Sequence, residues 1–319
     1  MLRSILIYLS KADWARQLVT RWSFARKVAS RFIAGELLDD AIKVIKTLNA
    51  NQINATLDHL GEHTTNPEKA VQATNDIITI LERIDREGVR SGVSIKLTQI
   101  GLAVDESLCA SNLEKILDKA AELSIFVRID MEDSKWVDTS LDLFKKSMGK
   151  YSNATIGIVI QAYLYRSDED VSDLLKLGAK VRLCKGAYKE PESIAFPRKS
   201  DVDANFDHLV YKLLEGSLAN GTPILSDDGR IPPIPAIGSH DESRVNYAKI
   251  VQEELGLPKQ AIEFQMLHGI RRDLQETLAQ EGYPVRVYVP YGSEWYPYFV
   301  RRLAERPANL WFFISNFFR

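Results

Sequence analysis

The sequence has very little cysteine. Its 319 residues include only Cys109 and Cys184, which lie far apart and form no C-x-x-C pair. Two cysteines in this arrangement provide neither the disulfide framework of a small secreted protein nor a cysteine-ligated zinc cluster. We therefore expect a reduced, cytosolic protein, and we interpret Cys184 as a small core residue rather than a reactive thiol.

The sequence also lacks an excess of charge of either sign and a long apolar run near its N-terminus. It holds 41 basic and 43 acidic residues, which gives a formal net charge of −2. A chain so balanced has no overall field to attract nucleic acid. The run from Ile5 to Leu9 is too short for a signal-peptide core or a membrane span. These absences predict a soluble, cytoplasmic protein without a nucleic-acid partner.

Histidine is scarce, and the common catalytic motifs are missing. Of the five histidines only His59 and His63 are four apart, and they lack the acidic residue of an H-E-x-x-H zinc motif. The sequence contains no G-x-S-x-G, and no G-x-G-x-x-G follows a predicted strand. We expect no metal site, no serine nucleophile and no Rossmann-type dinucleotide site.

What the sequence does contain is a regular alternation of strand and helix patterns. Residues 1–52 predict an N-terminal helical arm, and eight β/α units fill residues 53–309. Eight units in about 250 residues are typical of an α/β fold of the TIM-type, a (β/α)8 barrel, whose active site lies at the C-terminal ends of the strands. The predicted strands are 54–60, 93–97, 126–131, 156–163, 181–184, 234–239, 262–267 and 285–289.

Two segments stand apart from this repeat. The stretch Gly221–Pro235 is rich in glycine, proline and aspartate, and it predicts a surface excursion before the sixth strand. The C-terminal tail, residues 310–319, is strongly aromatic. Two interpretations of the tail stay open, namely packing on the barrel or contact with a partner or a membrane surface.

Several predicted strands carry polar side chains on one face. Side chains alternate along a strand, and the apolar face must be buried under the helices, so the polar face points into the barrel. We predict function for polar residues at or near strand ends and internal ion pairs for those deeper in the barrel. The first group is Lys96, Asp130, Gln161, Arg182 and Tyr288, and the second is Arg128, Glu263 and Arg286.

The segment KVRLCKGAYK, which begins at Lys180, combines a strand with a glycine turn. A large anionic ligand could be approached there by Arg182, by Lys185 and by the bare backbone of Gly186–Ala187. A flavin fits this description.

Arg301 and Arg302 are adjacent on the last predicted helix. Two forked donors on one small anion indicate carboxylate recognition, provided that the helix lies across the end of the barrel. Taken alone, the pair is better explained by a solvated helix with an Arg301–Glu305 ion pair.

These residues fall within a set of motifs that closely resembles the proline dehydrogenase family. The motifs follow the family's order and extend from Leu57 to Asn309; they are SIKLTQIG, VRIDMEDS, VIQAYLYR, VRLCKGAYKEP, FQMLHG, VYVPYG and YFVRRLAERPAN. The resemblance implies an FAD-dependent barrel that oxidises L-proline to Δ1-pyrroline-5-carboxylate, the first step of proline degradation to glutamate. It also implies a quinone as electron acceptor and a separate pyrroline-5-carboxylate dehydrogenase for the next step.

The resemblance further implies a role for each residue that matches the family's motifs. Arg301 and Arg302 would bind the proline carboxylate together with Lys96, and Glu62 would pair with Arg301 to close the site. The side chains that would pack around the substrate ring are Tyr188, Leu267 and Tyr288.

The catalytic and cofactor-binding residues follow in the same way. Asp130 would hold the cationic cluster beside the substrate, and Arg182 would donate towards the flavin N5 region. The positions that match flavin contacts are Met131, Gln161, Arg182, Lys185, Gly186, Ala187, Ser239, His240, Gln265 and Glu305.

Some features depart from the family pattern or leave alternatives. Ser239–His240 stands where many members have Thr-His, a change that keeps a hydroxyl. The stretch Gly221–Pro235 is long for the family, and covering part of the flavin is one interpretation of it that stays open. The alternatives are oxidation of another cyclic amino acid such as hydroxyproline, and a flavin-free barrel acting as a binding module. A peripheral location at the inner face of the membrane is the alternative to a purely cytoplasmic one.

Overall fold

The eight predicted strands form a closed barrel in the computed structural model, which describes residues 29–61 and 63–305, the last five as helix backbone only. All neighbouring strands are parallel, and β1 pairs with β8 to close the barrel. The strands are β1 Asn54–His59, β2 Ser91–Ile95, β3 Val127–Ile129, β4 Ile156–Gln161, β5 Lys180–Cys184, β6 Pro235–Gly238, β7 Glu263–Leu267 and β8 Val285–Tyr291. The predicted fold class is confirmed.

Helices follow the strands as predicted, and two short 3-10 turns, Ser134–Trp136 and Lys259–Ala261, lie between elements. The helices are α1 Leu38–Ala50, α2 Pro67–Glu87, α3 Glu106–Glu122, α4 Val137–Met148, α5 Ser167–Lys176, α6 Lys199–Ala219, α7 Glu242–Glu254, α8 Arg272–Gln280 and α9 Trp295–Glu305. Among the described helices, none combines the length and apolarity that crossing a bilayer would require.

Helix α1 packs on the outside of the barrel, against β1 and β8. Its buried residues Ala41, Ile42 and Ile45 belong to the same apolar core as the strands. The part of the predicted N-terminal arm that the structure describes is therefore part of the barrel wall. It covers the seam between β8 and β1, which in a regular repeat would be covered by the helix that follows β8.

Helix α9, the helix that does follow β8, lies elsewhere. Its Trp295 and Phe299 form a second apolar cluster with Phe32, Leu60 and Ile270. Leu60 and Ile270 come just after the C-terminal ends of β1 and β7. Helix α9 therefore lies at the end of the barrel where the strands finish, which we call the mouth.

The second strand begins and ends two residues earlier than predicted. Its first residues, Ser91 and Gly92, are small, and a Cβ on Gly92 would lie 2.7 Å from the carbonyl oxygen of Phe126. This close backbone approach, which no apolar pattern signals, extends the strand towards its N-terminus. Lys96 consequently lies just beyond the strand, at the mouth.

The stretch Gly221–Pro235 closes the opposite, N-terminal end of the barrel. Arg286 Nη2 donates to the carbonyl of Gly229 at 2.8 Å, and Lys180 Nζ donates to the carbonyl of Pro232 at 2.5 Å. Both cationic residues lie at the start of their strands. Of the interpretations left open for this stretch, covering a flavin at the mouth does not agree with this position, because a connection from a helix to the next strand returns at the end where strands begin.

The predicted internal ion pair exists for two of the three deeper polar residues. Arg286 Nε lies 2.9 Å from Oε1 of Glu263, and the two residues are 3 % and 0 % exposed. Arg128 instead donates Nη1 to the carbonyls of Ile158 and Lys180. Burial, followed by the charge of Arg182, lowers the pKa of Arg128 well below its ordinary value. For Arg128 the prediction of an ion pair was wrong, because its guanidinium bonds to main-chain carbonyls of β4 and β5 instead of to a carboxylate.

Lys180, at the N-terminal end of the barrel, makes the free energy of unfolding depend on pH. Burial lowers its pKa from 10.5 to about 8. Below pH 8 both the folded and unfolded chains carry the proton, and the full penalty for the buried charge is present. Between pH 8 and 10.5 the unfolded chain binds more protons than the folded one, so this residue makes stability rise with pH, by on the order of 3 kcal/mol in total.

We therefore expect the free energy of unfolding of the wild type to increase relative to that of Lys180→Met as the pH increases from 7 to 10. Urea unfolding of both proteins at intervals of one pH unit measures the difference. Lys43→Met, at an exposed position of α1, is the control. The free energy of unfolding of the wild type should not increase with pH relative to that of this variant. A difference between wild type and Lys180→Met that stays constant with pH would contradict the expectation.

Candidate active site

Arg182 is the centre of a polar cluster at the mouth of the barrel. Its three donor nitrogens all have side-chain partners: Nε donates to Gln265 Oε1 at 2.5 Å, Nη1 to Asp130 Oδ1 at 2.8 Å, and Nη2 to Ser94 Oγ at 2.9 Å. These partners come from β7, from the end of β3 and from β2. Because Arg182 is only 8 % exposed and bound on three sides, its planar charge has a fixed orientation.

Tyr288 is the second member of this cluster. Its hydroxyl donates to Asp130 Oδ2 at 2.7 Å, so Asp130 binds Arg182 with one oxygen and Tyr288 with the other. The guanidinium carbon of Arg182 lies 5.4 Å from the centre of the tyrosine ring. Burial, and then the charge of Asp130, raise the pKa of Tyr288 far above its ordinary value, which keeps the hydroxyl a proton donor.

Lys96 connects the cluster to β1. Its Nζ donates to Asp58 Oδ1 at 2.9 Å and to the hydroxyl of Tyr288 at 3.4 Å. Asp58 is 1 % exposed, and its Oδ2 has no partner among the residues that the structure describes. Lys96 therefore presents a positive charge at the mouth whose position is fixed by a buried carboxylate.

Asp58 and Ser94 are members of the cluster to which the sequence analysis gave no role. On β1, Asp58 lies on the same face as Asn54 and Thr56, and Leu57 lies on the opposite face. The face with Asp58 is the polar, inward one. The alternation rule, applied to β1, could have identified Asp58 as inward-facing. Nothing in the sequence signals the hydrogen bond from Arg182 to Ser94, because the two residues are 88 positions apart.

The turn after β5 exposes backbone at the mouth. Gly186 has a φ of +115°, and a Cβ at this position would lie 2.3 Å from the ring of Tyr163. Only glycine fits there without displacing Tyr163. The next amide, Ala187 N, lies 3.4 Å from Gln161 Oε1. Gly186 and Ala187 are both exposed, so a ligand at the mouth could contact the backbone of this turn.

Lys185, which precedes this glycine, is already bound by two carboxylates. Its Nζ lies 2.5 Å from Asp203 Oδ1 and 2.7 Å from Asp241 Oδ2. Any anionic ligand would have to share Lys185 with these residues. The sequence pattern gave no indication of this pairing, because Asp203 lies 18 positions away on α6 and Asp241 lies 56 positions away, after β6.

The loop after β6 brings Ser239 and His240 to the same end of the barrel. Ser239 Oγ accepts a hydrogen bond from Asp241 N at 3.1 Å, and His240 Nε2 accepts one from Leu267 N at 2.9 Å. An accepting Nε2 places the ring proton of His240 on Nδ1. Gln265 is oriented by Glu263, whose Oε1 accepts from Gln265 Nε2 at 2.5 Å.

The remaining predicted site residues divide into those that the structure describes and those that it does not. Met131 is buried directly after Asp130, and Tyr188 and Leu267 are partly buried at the ends of β5 and β7. Arg301, Arg302 and Glu305 lie on α9, but their side chains are outside the described residues, as is the whole of Glu62.

A cavity of about 440 Å³ opens beside Lys96. One wall is the loop between β1 and α2, with Gly61, His63 and Thr64, and the other is α9, with Pro297 and Tyr298. Throughout the described part of the chain, no three histidine, cysteine or carboxylate side chains are close enough together to hold a metal ion. Lys96 lines this cavity and also bonds to Tyr288 of the Arg182 cluster, so a fixed cation suited to a small carboxylate lies between the two.

Comparison with known proteins points to one family. A family model described as proline dehydrogenase matches residues 41–314. The chain is 39 % identical over 310 residues to proline dehydrogenase 2 of Bacillus subtilis, covering 97 % of this chain and 96 % of that protein. It is 40 % identical over 293 residues to proline dehydrogenase of Deinococcus radiodurans, covering 91 % and 89 % of the two chains.

A solved structure has the same architecture. Proline utilization A from Bdellovibrio bacteriovorus, inactivated by N-propargylglycine, superposes with a TM-score of 0.79 at 28 % sequence identity. The match covers 88 % of this chain but only 33 % of that much longer protein.

Proposed function

This chain belongs to the proline dehydrogenase family, and on that premise we propose that it uses FAD to oxidise L-proline to Δ1-pyrroline-5-carboxylate. The reaction would be the first step of proline degradation to glutamate. The observation that carries the proposal is the linked set of Arg182, Asp130, Tyr288 and Lys96 at the mouth, next to the helix that bears two adjacent arginines.

The geometry of the mouth fits a flavin. The ring of Tyr163 occupies the position where a Cβ on Gly186 would lie, which fixes the conformation of the turn, and the exposed backbone of Gly186 and Ala187 would be available to a ring system. Arg182 supplies a fixed positive charge with all three of its donor nitrogens already oriented. The residues that would hold the cofactor are Met131, Gln161, Arg182, Lys185, Gly186, Ala187, Ser239, His240, Gln265 and Glu305.

A bound flavin would accept a hydride equivalent from the substrate. The contribution of Arg182 is electrostatic: a charge that is held in place before the reaction favours negative charge that develops nearby, without any cost of reorientation. Asp130 maintains that orientation, since it binds Arg182 and Tyr288 at once.

The cationic groups at the mouth would bind the substrate carboxylate. Lys96 is fixed by Asp58 and would act together with Arg301 and Arg302. Tyr188, Leu267 and Tyr288 would pack around the pyrrolidine ring. The contribution of these residues is orientation of the carbon that gives up the hydride, which can lower a barrier substantially without any proton transfer.

Three further parts of the proposal concern residues and partners at the edge of the site. Glu62 would pair with Arg301 and close the site over bound substrate. The electron acceptor would be a quinone, reached by a transient contact of a cytoplasmic enzyme with the membrane surface. The product would pass to a separate pyrroline-5-carboxylate dehydrogenase.

Anaerobic titration with L-proline tests the function directly. We expect purified protein to carry a yellow chromophore whose absorbance is bleached by L-proline. We also expect Arg301→Met/Arg302→Met to retain the chromophore while the KM for L-proline rises by on the order of 100-fold or more, because two charge-assisted hydrogen bonds are lost. An unchanged KM in this double variant, or a colourless protein that FAD cannot reconstitute, would refute the proposal.

The alternative substrate is tested in the same assay. The ring of Tyr288 is restrained by Asp130 and lies against Arg182, so it limits the room beside the substrate ring. We therefore expect kcat/KM for L-proline to exceed that for hydroxyproline. Equal or greater efficiency with hydroxyproline would favour the alternative.

A further inference from the structure

The described residues of the loop between β1 and α2, 60–61 and 63–66, form one wall of the cavity beside Lys96. Its shape therefore decides how much room a ligand has between Lys96 and α9. The other wall is a regular helix, whereas the described residues of this loop have no secondary structure of their own. Whatever holds the loop in place also determines the shape of the cavity.

Thr98, in the turn after β2, holds this loop at two points. Its carbonyl accepts a hydrogen bond from Thr64 N at 3.1 Å, and its hydroxyl accepts one from His63 N at 3.0 Å. His63 has a φ of +53°, in the left-handed region that residues with a side chain seldom adopt. The hydroxyl of Thr98 therefore supports a backbone conformation that the loop would not favour by itself.

Glu132 orients that hydroxyl. Its Oε2 lies 2.5 Å from Thr98 Oγ1, and its Oε1 accepts from Thr98 N at 3.0 Å. A hydroxyl has one proton, so donation to Glu132 leaves the lone pairs of Thr98 directed at His63 N. Glu132 is 1 % exposed and Thr98 is fully buried, so water does not compete for these bonds.

Glu132 is also connected to the catalytic side of the mouth. Its carbonyl accepts a hydrogen bond from Gln161 Nε2 at 2.9 Å, and Gln161 Oε1 faces Ala187 N. Asp130, which binds Arg182, lies only two residues before it. Glu132 thus connects the cavity wall to the turn after β5: its carboxylate binds Thr98, and its main-chain carbonyl binds Gln161.

We propose that Thr98 and Glu132 are positioning residues for substrate binding, which set the distance between the cavity wall and Lys96 through the backbone of His63 and Thr64. The proposal rests on the proposed function in taking this cavity as the place where L-proline binds. Neither residue touches the substrate; both act through the loop. Their loss should therefore weaken binding more than turnover.

Thr98→Val tests this, because it keeps the shape of the side chain and removes the hydroxyl. In the flavin-containing enzyme we expect KM for L-proline to rise about 5- to 10-fold while kcat changes less than about twofold, the scale of one lost hydrogen bond. Backbone hydrogen–deuterium exchange in the substrate-free enzyme should accelerate about 10-fold in a peptide covering residues 60–66. Thr98→Ser should restore both values.

Two further variants keep the test decisive. Thr79→Val is the matched control, since the hydroxyl of Thr79 bonds to the Asn75 carbonyl within α2, on the exposed face of that helix. Glu132→Gln keeps the volume but removes a carboxylate oxygen from Thr98, so it should shift KM and exchange in the same direction. It also tests the proposal if Thr98→Val does not fold.

The outcomes separate cleanly. Unchanged exchange in Thr98→Val would show that the hydroxyl does not hold the loop, and faster exchange with unchanged KM would show that the loop does not set substrate binding. Either result overturns the proposal. If the wild type does not oxidise L-proline at all, the proposed function fails and the substrate part of this inference with it, while the exchange measurement still decides whether Thr98 holds the loop.

Discussion

Arg182→Met is expected to slow the bleaching of the flavin by L-proline by about 10²- to 10³-fold, the effect typical of removing one preorganised electrostatic contact. The variant removes a charge whose direction is fixed by Gln265, Asp130 and Ser94. It also leaves the carboxylate of Asp130 with one of its two partners missing. Anaerobic stopped-flow absorbance at saturating L-proline measures the rate.

A second readout distinguishes the loss of charge from a loss of packing. If the flavin binds beside Arg182 as proposed, removing this fixed positive charge should lower the flavin reduction potential, whereas a merely structural disturbance would not shift the potential in a fixed direction. Arg182→Lys keeps the charge but not the planar fork. Its flavin reduction potential should therefore be close to that of the wild type, while its bleaching rate should remain reduced.

Arg166→Met is the matched control for Arg182→Met. Arg166 also binds two carboxylates, Asp138 and Asp170, but it lies on the exposed surface near the start of α5. We expect its rate and its flavin potential to equal those of the wild type. If Arg182→Met matched the wild type in both measurements, the assigned role of Arg182 would be wrong.

Glu263→Ala is expected to destabilise the protein by about 3–5 kcal/mol, the usual cost of leaving one partner of a buried ion pair alone. Arg286 would keep its charge inside the barrel, with only the carbonyls of Ala55 and Gly229 as acceptors. Glu263 also orients Gln265, which in turn binds Arg182. The midpoint of urea unfolding, followed by circular dichroism, measures the change.

The double variant Glu263→Met/Arg286→Met separates the charge effect from the packing effect. It removes both charges and fills the space with apolar side chains, which is often less destabilising than removing one charge. We expect the double variant to be more stable than Glu263→Ala. Asp173→Ala, which breaks an exposed ion pair with Lys176, should cost less than about 1 kcal/mol. A Glu263→Ala variant as stable as Asp173→Ala would contradict the expectation.

The barrel and its polar lining could be predicted from the sequence because they depend on local periodicity. Alternation along β5 placed Arg182 on the inner face, and alternation along β8 did the same for Tyr288. The position of Lys96 and Asp130 near strand ends predicted that they lie at the mouth. The structure brings these residues within hydrogen-bonding distance of shared partners, as the barrel geometry requires.

The errors have a common cause, since each concerns which distant groups meet. Arg128 was expected in an ion pair, but its Nη1 bonds to the backbone of two neighbouring strands. One interpretation placed the stretch Gly221–Pro235 over the flavin, but it closes the other end of the barrel.

By itself, the sequence determined which side chains point inward and at which end of the barrel they lie, because a strand alternates its side chains and a parallel barrel has one catalytic end. Only the tertiary structure decided the partners: Asp58 for Lys96, Ser94 and Gln265 for Arg182, and Thr98 for Glu132. These pairs join different β/α units. Their distances depend on the closure of the whole barrel, which no local pattern of residues encodes.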